Sequence, residues 1–236
     1  MMVSIGNFLF RYRNTLFPFT CLLLLLPGPR LHEDPLVAAA IGAVCALLGQ
    51  TIRALTIGLD YIVRGGRQGK VYADGLVISG IYHHTRNPMY VGNVLIAVGV
   101  AIASNSWVAV ALSAPLVMLA YAAIVAAEEN FLSAKFGAAF DHYCKDVPRW
   151  LPRLRGLGGT LSSATFHWRR LVVKEYGTPA AWIAVLCGIT LYNLWWSSML
   201  EERREAVVAI GTVVAVTFAL WLLARVLKKA RVLRAD

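Results

Sequence analysis

Two stretches carry most of the polar chemistry in this chain. The first reads Gly80-Ile-Tyr82-His-His-Thr-Arg86-Asn87-Pro88-Met89-Tyr90-Val-Gly92. Asn is a good helix N-cap and Pro suits the first helical position, so a helix is expected to start at Asn87-Pro88. Its open N–H groups and positive dipole end favour an anion, such as a ligand carboxylate. Gly92, one turn in, leaves room for a ligand or a neighbouring helix. The second stretch opens with Glu128-Glu129 at the expected end of an apolar helix. Two adjacent carboxylates at a membrane rim are costly unless solvated or paired, and the helix dipole makes them less welcome there. Headgroup water would satisfy them. A sulfonium, an α-ammonium or a ribose would do so with a function attached. Taken singly, each residue also has a plain structural reading: Asn-Pro starts a helix, Gly92 packs, and Arg86 anchors at the headgroups.

The elements that must position these stretches follow from composition. Of 236 residues, 58% are hydrophobic and 15% charged, and mean hydropathy is +0.60. Long apolar segments in such a chain read as membrane spans. Six are expected, at about Thr15–Leu31, Leu36–Ile62, Met89–Ala103, Trp107–Ala127, Thr178–Trp196 and Ala206–Leu227. Residues 1–14 read as a short tail, and Pro18 makes the first segment either a bent crossing or a re-entrant one. Ser104-Asn105-Ser106 is a tight turn, so spans three and four form an antiparallel hairpin. That hairpin returns Glu128-Glu129 to the face where Asn87-Pro88 begins. Phe131, Leu132, Phe136, Phe140 and Tyr143 fall at helical spacings, which predicts an interfacial helix stopped by Pro148 and Pro152. Gly156–Thr160 reads as a flexible connector. The fold class expected is an all-α polytopic bundle of about six spans. Residues 1–178 form its core, and 179–236 add a C-terminal transmembrane hairpin.

Charge placement orients the bundle. With the N-terminus inside, the inner segments collect Arg11, Arg13, Arg64, Arg67, Lys70, Arg86, the eight Lys and Arg of residues 128–178, and the basic tail from Lys228. The outer loops hold Arg30, Arg203 and Arg204. This asymmetry predicts both termini, and the two polar stretches, on the cytoplasmic side. It also makes the net charge of +10 a topology signal, which argues against a nucleic-acid partner. The four cysteines show no CxxC or metal-ligand spacing, so no metal is expected.

In order and spacing, the motifs resemble the isoprenylcysteine carboxyl methyltransferase and phospholipid methyltransferase superfamily over residues 65–153. Its pattern is Gly-x-Tyr-x-x-x-Arg-His-Pro-x-Tyr-x-Gly, then Glu-Glu after a helical hairpin, then Phe-Gly-x-x-Tyr-x-x-Tyr and Val-Pro. The resemblance implies an S-adenosyl-L-methionine site lined by Asp74, Gly75, Leu76, Val77, Tyr82, Asn87, Pro88, Met89, Tyr90 and Glu128. It implies a lipophilic acceptor arriving from the bilayer, methylated at a carboxyl oxygen or an amine. Glu129 and Arg53 are the candidate catalytic residues. Two departures stand out. Asn87 replaces the usual His but still donates and accepts hydrogen bonds. Ile124 stands where the prenylcysteine enzymes hold the acceptor carboxylate with an Arg, and an apolar side chain cannot pair a carboxylate. Arg53 is either its substitute or a snorkelling anchor.

Two other readings stay open at the level of sequence. An NADPH-dependent membrane reductase of the sterol-reductase type shares a similar Arg-His-Pro-x-Tyr signature, usually with Asn where Met89 stands. A non-catalytic membrane protein on the same scaffold is the other. The orientation itself is testable: a reporter active only in the cytoplasm, fused after Asp236, is expected to be active, and one inserted at Glu202 inactive. The reverse pattern would invert the topology.

Overall fold

The computed structural model describes residues 1–59, 71 and 73–233. The expected Gly- and Arg-rich loop at 64–70, the end of span two beyond Leu59, and Arg234 lie outside the described residues.

Among the described residues, regular structure is helical, with an isolated bridge between Arg30 and Ser106. The helices are α1 (Met2–Thr20), α2 (Pro35–Leu59), α3 (Pro88–Ala103), α4 (Trp107–Phe136), α5 (Ala138–Asp146), α6 (Leu157–Ser163), α7 (Trp168–Glu175), α8 (Gly177–Trp196) and α9 (Arg204–Lys229). The all-helical membrane bundle is therefore borne out. Four helices, α2, α4, α8 and α9, are long and apolar enough to cross a membrane. Helix α3 has 16 residues and reaches about 24 Å, short of a hydrocarbon core of ~30 Å.

Three expectations change. Residues 1–14 are no tail: α1 starts at Met2, runs through Pro18 and tightens into a 3-10 turn over Cys21–Leu25. Pro18 has a φ that suits a helix but no N–H to donate to residue 14, and the chain tightens into 3-10 geometry just after it. Helix α4 does not end at Glu128-Glu129 but continues to Phe136. The two carboxylates therefore sit inside a helix, and the dipole penalty expected for a terminal pair does not apply. Gly156–Thr160 is no loose connector, because Gly156, with φ +82°, starts α6.

Backbone contact joins α2 to α3. Gly42 faces Gly99, and Gly49 faces Gly92, in antiparallel register. A Cβ on Gly49 would lie 2.5 Å from the Gly92 carbonyl oxygen, and one on Gly92 2.7 Å from that of Gly49. Lipid tails are as apolar as Leu, so helices gain from dense packing, and small residues allow it. Gly92 thus admits a helix rather than a ligand. Helix α1 meets α4 in the same manner, with Gly6 against the Ala123 carbonyl.

The α3–α4 turn is pinned at the far rim. Asn105 adopts φ +54°. Its amide donates to the His32 carbonyl and its Oδ1 accepts from the His32 N–H, each at 2.9 Å. Ser106 caps α4 by accepting from the Ala109 N–H at 3.2 Å. The expected antiparallel hairpin is formed, and Glu128 returns to the level of Tyr90.

Gly49→Ala is expected to cost about 1–3 kcal/mol by overpacking the α2–α3 contact. Gly211→Ala on α9, where a Cβ meets open space, is expected to be neutral or slightly stabilising. Thermal unfolding in detergent checks the pair; equal midpoints would mean that the contact carries no such strain.

Candidate active site

Residues 80–83 form a 3-10 turn that takes the Tyr82, His84 and Thr85 N–H groups, while the Arg86 N–H and the His84 carbonyl find no partner within it. Residues 147–153 supply the partners. The Arg86 N–H donates to the Pro148 carbonyl and the Arg153 N–H to the His84 carbonyl, each at 2.9 Å. Thr85 Oγ1 donates to the Trp150 carbonyl at 3.0 Å and Asn87 Nδ2 to the Arg149 carbonyl at 3.1 Å. His84 adds ring contacts to the Arg153 carbonyl and the Thr160 hydroxyl. Pro148 and Pro152 thus bound an extended strap rather than merely ending a helix. Asn87 occupies the N-cap position of α3, but its side chain does not cap the helix. It ties the helix start to the strap instead.

Helix α5 fastens the same segment from below. Gly137, with φ +51°, breaks α4 from α5. The expected single interfacial helix is therefore two, and the turn brings Phe140, Tyr143 and Val147 into one cluster with Leu76, Leu132 and Phe136. The Tyr143 hydroxyl donates to the Tyr82 carbonyl at 2.6 Å. Burial pushes that hydroxyl far above its ordinary pKa, against the nearby Arg86 charge, so it remains a donor.

The acidic pair divides its duties. Glu129 forms an ion pair with Arg86 at 3.1 Å and accepts from Arg149 Nε at 3.0 and 3.1 Å. It locks α4 to the segment before α3 and to the strap. Glu128 accepts from the Tyr90 hydroxyl at 2.5 Å. The Tyr90 ring packs beside Tyr121, whose edge meets Phe17 of α1. Arg53 is 7% exposed and does not snorkel. Its Nε and Nη2 donate to Glu175 at 2.5 and 2.9 Å, and Nη2 also donates to Thr178 at 3.2 Å. Gln50 joins this network through Glu175, and Trp182 joins through Gln50. A buried arginine at membrane depth requires such a counter-charge.

These groups enclose a cavity of about 1070 Å³. Asp74, Gly75, Leu76, Val77, Tyr82, Asn87, Pro88, Met89, Tyr90 and Glu128 all line it, as do Glu129 and Arg53. Sequence reasoning missed the remaining walls. Phe10, Arg13, Asn14 and Phe17 come from α1, Tyr121 from α4, and Tyr176 and Thr178 from the α7–α8 junction. The spacing of Phe10, Arg13 and Phe17, three and four residues apart, was an available signal of one helical face. Ile124 is wholly buried against Phe10, Val117 and Tyr121 and is not among the residues lining the cavity. Among the described residues, no group of three or more His, Cys, Asp or Glu gathers as a metal site.

The sequence has relatives among known proteins. The phospholipid methyltransferase family model matches residues 37–139, which include α2, α3 and α4 through Glu129. The chain is 30% identical over 133 residues to the nickel-cobalt-cadmium resistance protein NccN of Alcaligenes xylosoxydans xylosoxydans, covering 56% of this chain and 60% of that protein. It is 29% identical over 119 residues to a protein-S-isoprenylcysteine O-methyltransferase of Schizosaccharomyces pombe, covering 48% of each. A cobalt-zinc-cadmium resistance protein, CzcN of Cupriavidus metallidurans, is 35% identical over 79 residues, 34% of this chain and 36% of that protein. The chain spans about half the length of the curated relatives it matches. No solved structure matches it. Through residues 37–139, under half of its length, the chain resembles the phospholipid methyltransferase family, and over a stretch of similar length it resembles an isoprenylcysteine O-methyltransferase.

Proposed function

We propose that this protein is a membrane-integral methyltransferase that uses S-adenosyl-L-methionine to methylate a lipophilic acceptor. One observation carries the reading: every residue expected at the cofactor lines a single cavity, together with further apolar and aromatic walls from α1 and α8. Pockets that hold one drug-sized ligand run roughly 300–1,000 Å³. A cavity at the top of that range suits two reactants side by side.

The residues present fit the cofactor. Asp74 and Glu128 offer carboxylates to a ligand that carries a sulfonium and an ammonium group. Leu76, Val77, Pro88 and Met89 offer apolar contact for an adenine ring. In the first turn of α3, Tyr90 and Val91 donate to the Asn87 carbonyl and Pro88 has no N–H, so the Met89 N–H and the positive helix end are what remain for a carboxylate. Held there by these residues, S-adenosylmethionine would supply an electrophilic methyl carbon with a neutral thioether as its leaving group.

Such a displacement asks the protein mainly to align two groups and exclude water. Tyr90 fixes the Glu128 carboxylate by a short hydrogen bond. Glu129, with Arg86 and Arg149, holds the wall that carries Asn87 and Pro88. Glu129 therefore positions the site rather than acting as an acid or base. Arg53 supports the junction of α2, α7 and α8 through Glu175. A carboxylate acceptor releases no proton, while an amine acceptor releases one. The distribution of Lys and Arg puts the cofactor mouth at the cytoplasmic face.

Calorimetry on purified protein tests the reading. S-adenosylmethionine and S-adenosylhomocysteine are expected to bind, and NADPH is not. Binding of NADPH alone would sink the proposal in favour of a reductase. Glu128→Ala is expected to weaken the cofactor by roughly 30-fold or more, the scale for losing one partner of a buried charge contact. Its elution and thermal midpoint should stay near those of the wild type. Unchanged affinity would remove Glu128 from the site.

A further inference from the structure

The packing of α2 on α3 gives a depth scale. Gly49 lies against Gly92, and Gly92 also meets the Arg53 side chain, which sets Arg53 level with the first residues of α3. Thr178, at the start of the α8 span, bonds to Arg53 at that same level. Gly58 lies five residues further along α2, about 7.5 Å nearer the rim. The His167 N–H donates to the Gly58 carbonyl at 2.8 Å, and the Phe166 ring covers Gly58. The Arg153 N–H donates to the His84 carbonyl, four residues ahead of Pro88. Both ends of the segment 153–167 are therefore tied just outside the level where α3 and α8 begin. Headgroups add roughly 5–7 Å to each side of the hydrocarbon, so this is their layer.

The composition at this level is one-sided. From Val147 to Lys174 the chain has six Arg and Lys and no Asp or Glu. Arg149 is paired with Glu129, Arg153 donates to the Asp146 carbonyl, and Arg170 and Lys174 are engaged as well. Arg155 and Arg169 are different. Both are exposed, and their side chains make no hydrogen bond or ion pair among the described residues. Three large apolar side chains stand out beside them: Leu151 is 83% exposed, Leu154 75% and Trp168 68%. Single exposed apolar residues are ordinary on a protein surface. Three of them next to uncompensated cations, at headgroup depth, make the composition of an element that sinks its apolar side chains below the lipid phosphates.

We propose that residues 151–170 are a docking surface for anionic lipid headgroups, in which Leu151, Leu154 and Trp168 enter the leaflet while Arg155 and Arg169 take lipid phosphates. The inference does not depend on the reaction carried out in the cavity. A soluble acidic partner would answer the charge but would leave the leucines and the tryptophan without an apolar medium, which the bilayer supplies at this depth. The strap that walls the cavity runs directly into this surface through Arg153.

The test uses the full chain, with a photoreactive benzoylphenylalanine in place of Leu154, in phosphatidylcholine nanodiscs that contain a minority of phosphatidylglycerol. Mass spectrometry identifies what the probe captures on illumination. Phosphatidylglycerol is expected among the lipid adducts about fivefold above its share of the bilayer, the scale of one cation at a membrane surface. Arg155→Gln together with Arg169→Gln should bring the adducts to the bulk composition, as should high salt. Lys229→Gln together with Arg231→Gln removes the same charge from exposed positions elsewhere and should leave the enrichment in place. Thermal midpoints near that of the parent protein report that both variants are folded. Absence of any lipid adduct would mean that Leu154 faces water, and it overturns the proposal. Adducts at bulk composition before any arginine is changed overturn it as well. Enrichment that survives the loss of Arg155 and Arg169, or that falls equally with Lys229 and Arg231, would belong to overall charge and not to this surface. Oligoglutamate or an oligonucleotide captured in place of lipid would assign the surface to a soluble acidic partner, with the same consequence.

Discussion

Irregular backbone at a membrane rim survives only if its own chain satisfies it. That constraint governs this structure. Residues 84–87 join a 3-10 turn to the start of α3, and there the Arg86 N–H and the His84 carbonyl have no partner in either element. The strap at 147–153 meets both, through the Pro148 carbonyl and the Arg153 N–H, and Tyr143 reaches the Tyr82 carbonyl. Once the two segments are joined, the start of α3, the middle of α4 and the strap form one wall. Glu129 seals that wall with two arginines, which leaves Glu128 turned to Tyr90 and the cavity. The position of this cavity wall follows from satisfying the backbone, before any ligand is considered.

A second polar network holds the other side. Arg53, Glu175, Gln50, Thr178 and Trp182 link α2 to the α7–α8 junction. A single partner lost from such a group leaves an unpaired charge, which costs far more than the pair itself contributes. The network therefore fixes geometry more than it adds stability. It also ties the C-terminal helices to the matched core, since α8 packs on both α2 and α3.

Legibility in the sequence followed the range of each interaction. Asn87-Pro88 announced a helix start, the Ser104-Asn105-Ser106 turn announced the hairpin, and the hairpin brought Glu128 to Tyr90; all of these are local or nearly so. The residues expected to line the site reach one cavity because their motifs are compact. Long-range pairing was not legible. Nothing near Arg53 in the chain names Glu175, and nothing near Arg86 names Pro148. Helix α1 was hidden for another reason. Its first turns mix Asn7, Arg11, Arg13 and Asn14 with apolar residues, so a hydropathy reading makes them a tail. Their helicity comes from packing against α4 through Gly6 and Phe10, which no local pattern reports.

The glycine contact between α2 and α3 has a mechanical consequence. Most helix interfaces can adjust by changing side-chain rotamers. Where glycine meets glycine there is no rotamer to change, and the two helices share a fixed backbone separation. The α2–α3 pair therefore behaves as an anvil. Any widening of the cavity has to come from the parts of the wall that carry large side chains: Phe10 and Phe17 of α1, Tyr121 of α4 and Tyr176 beside α8. The rigid half and the compliant half of one chamber are thus set apart by residue size.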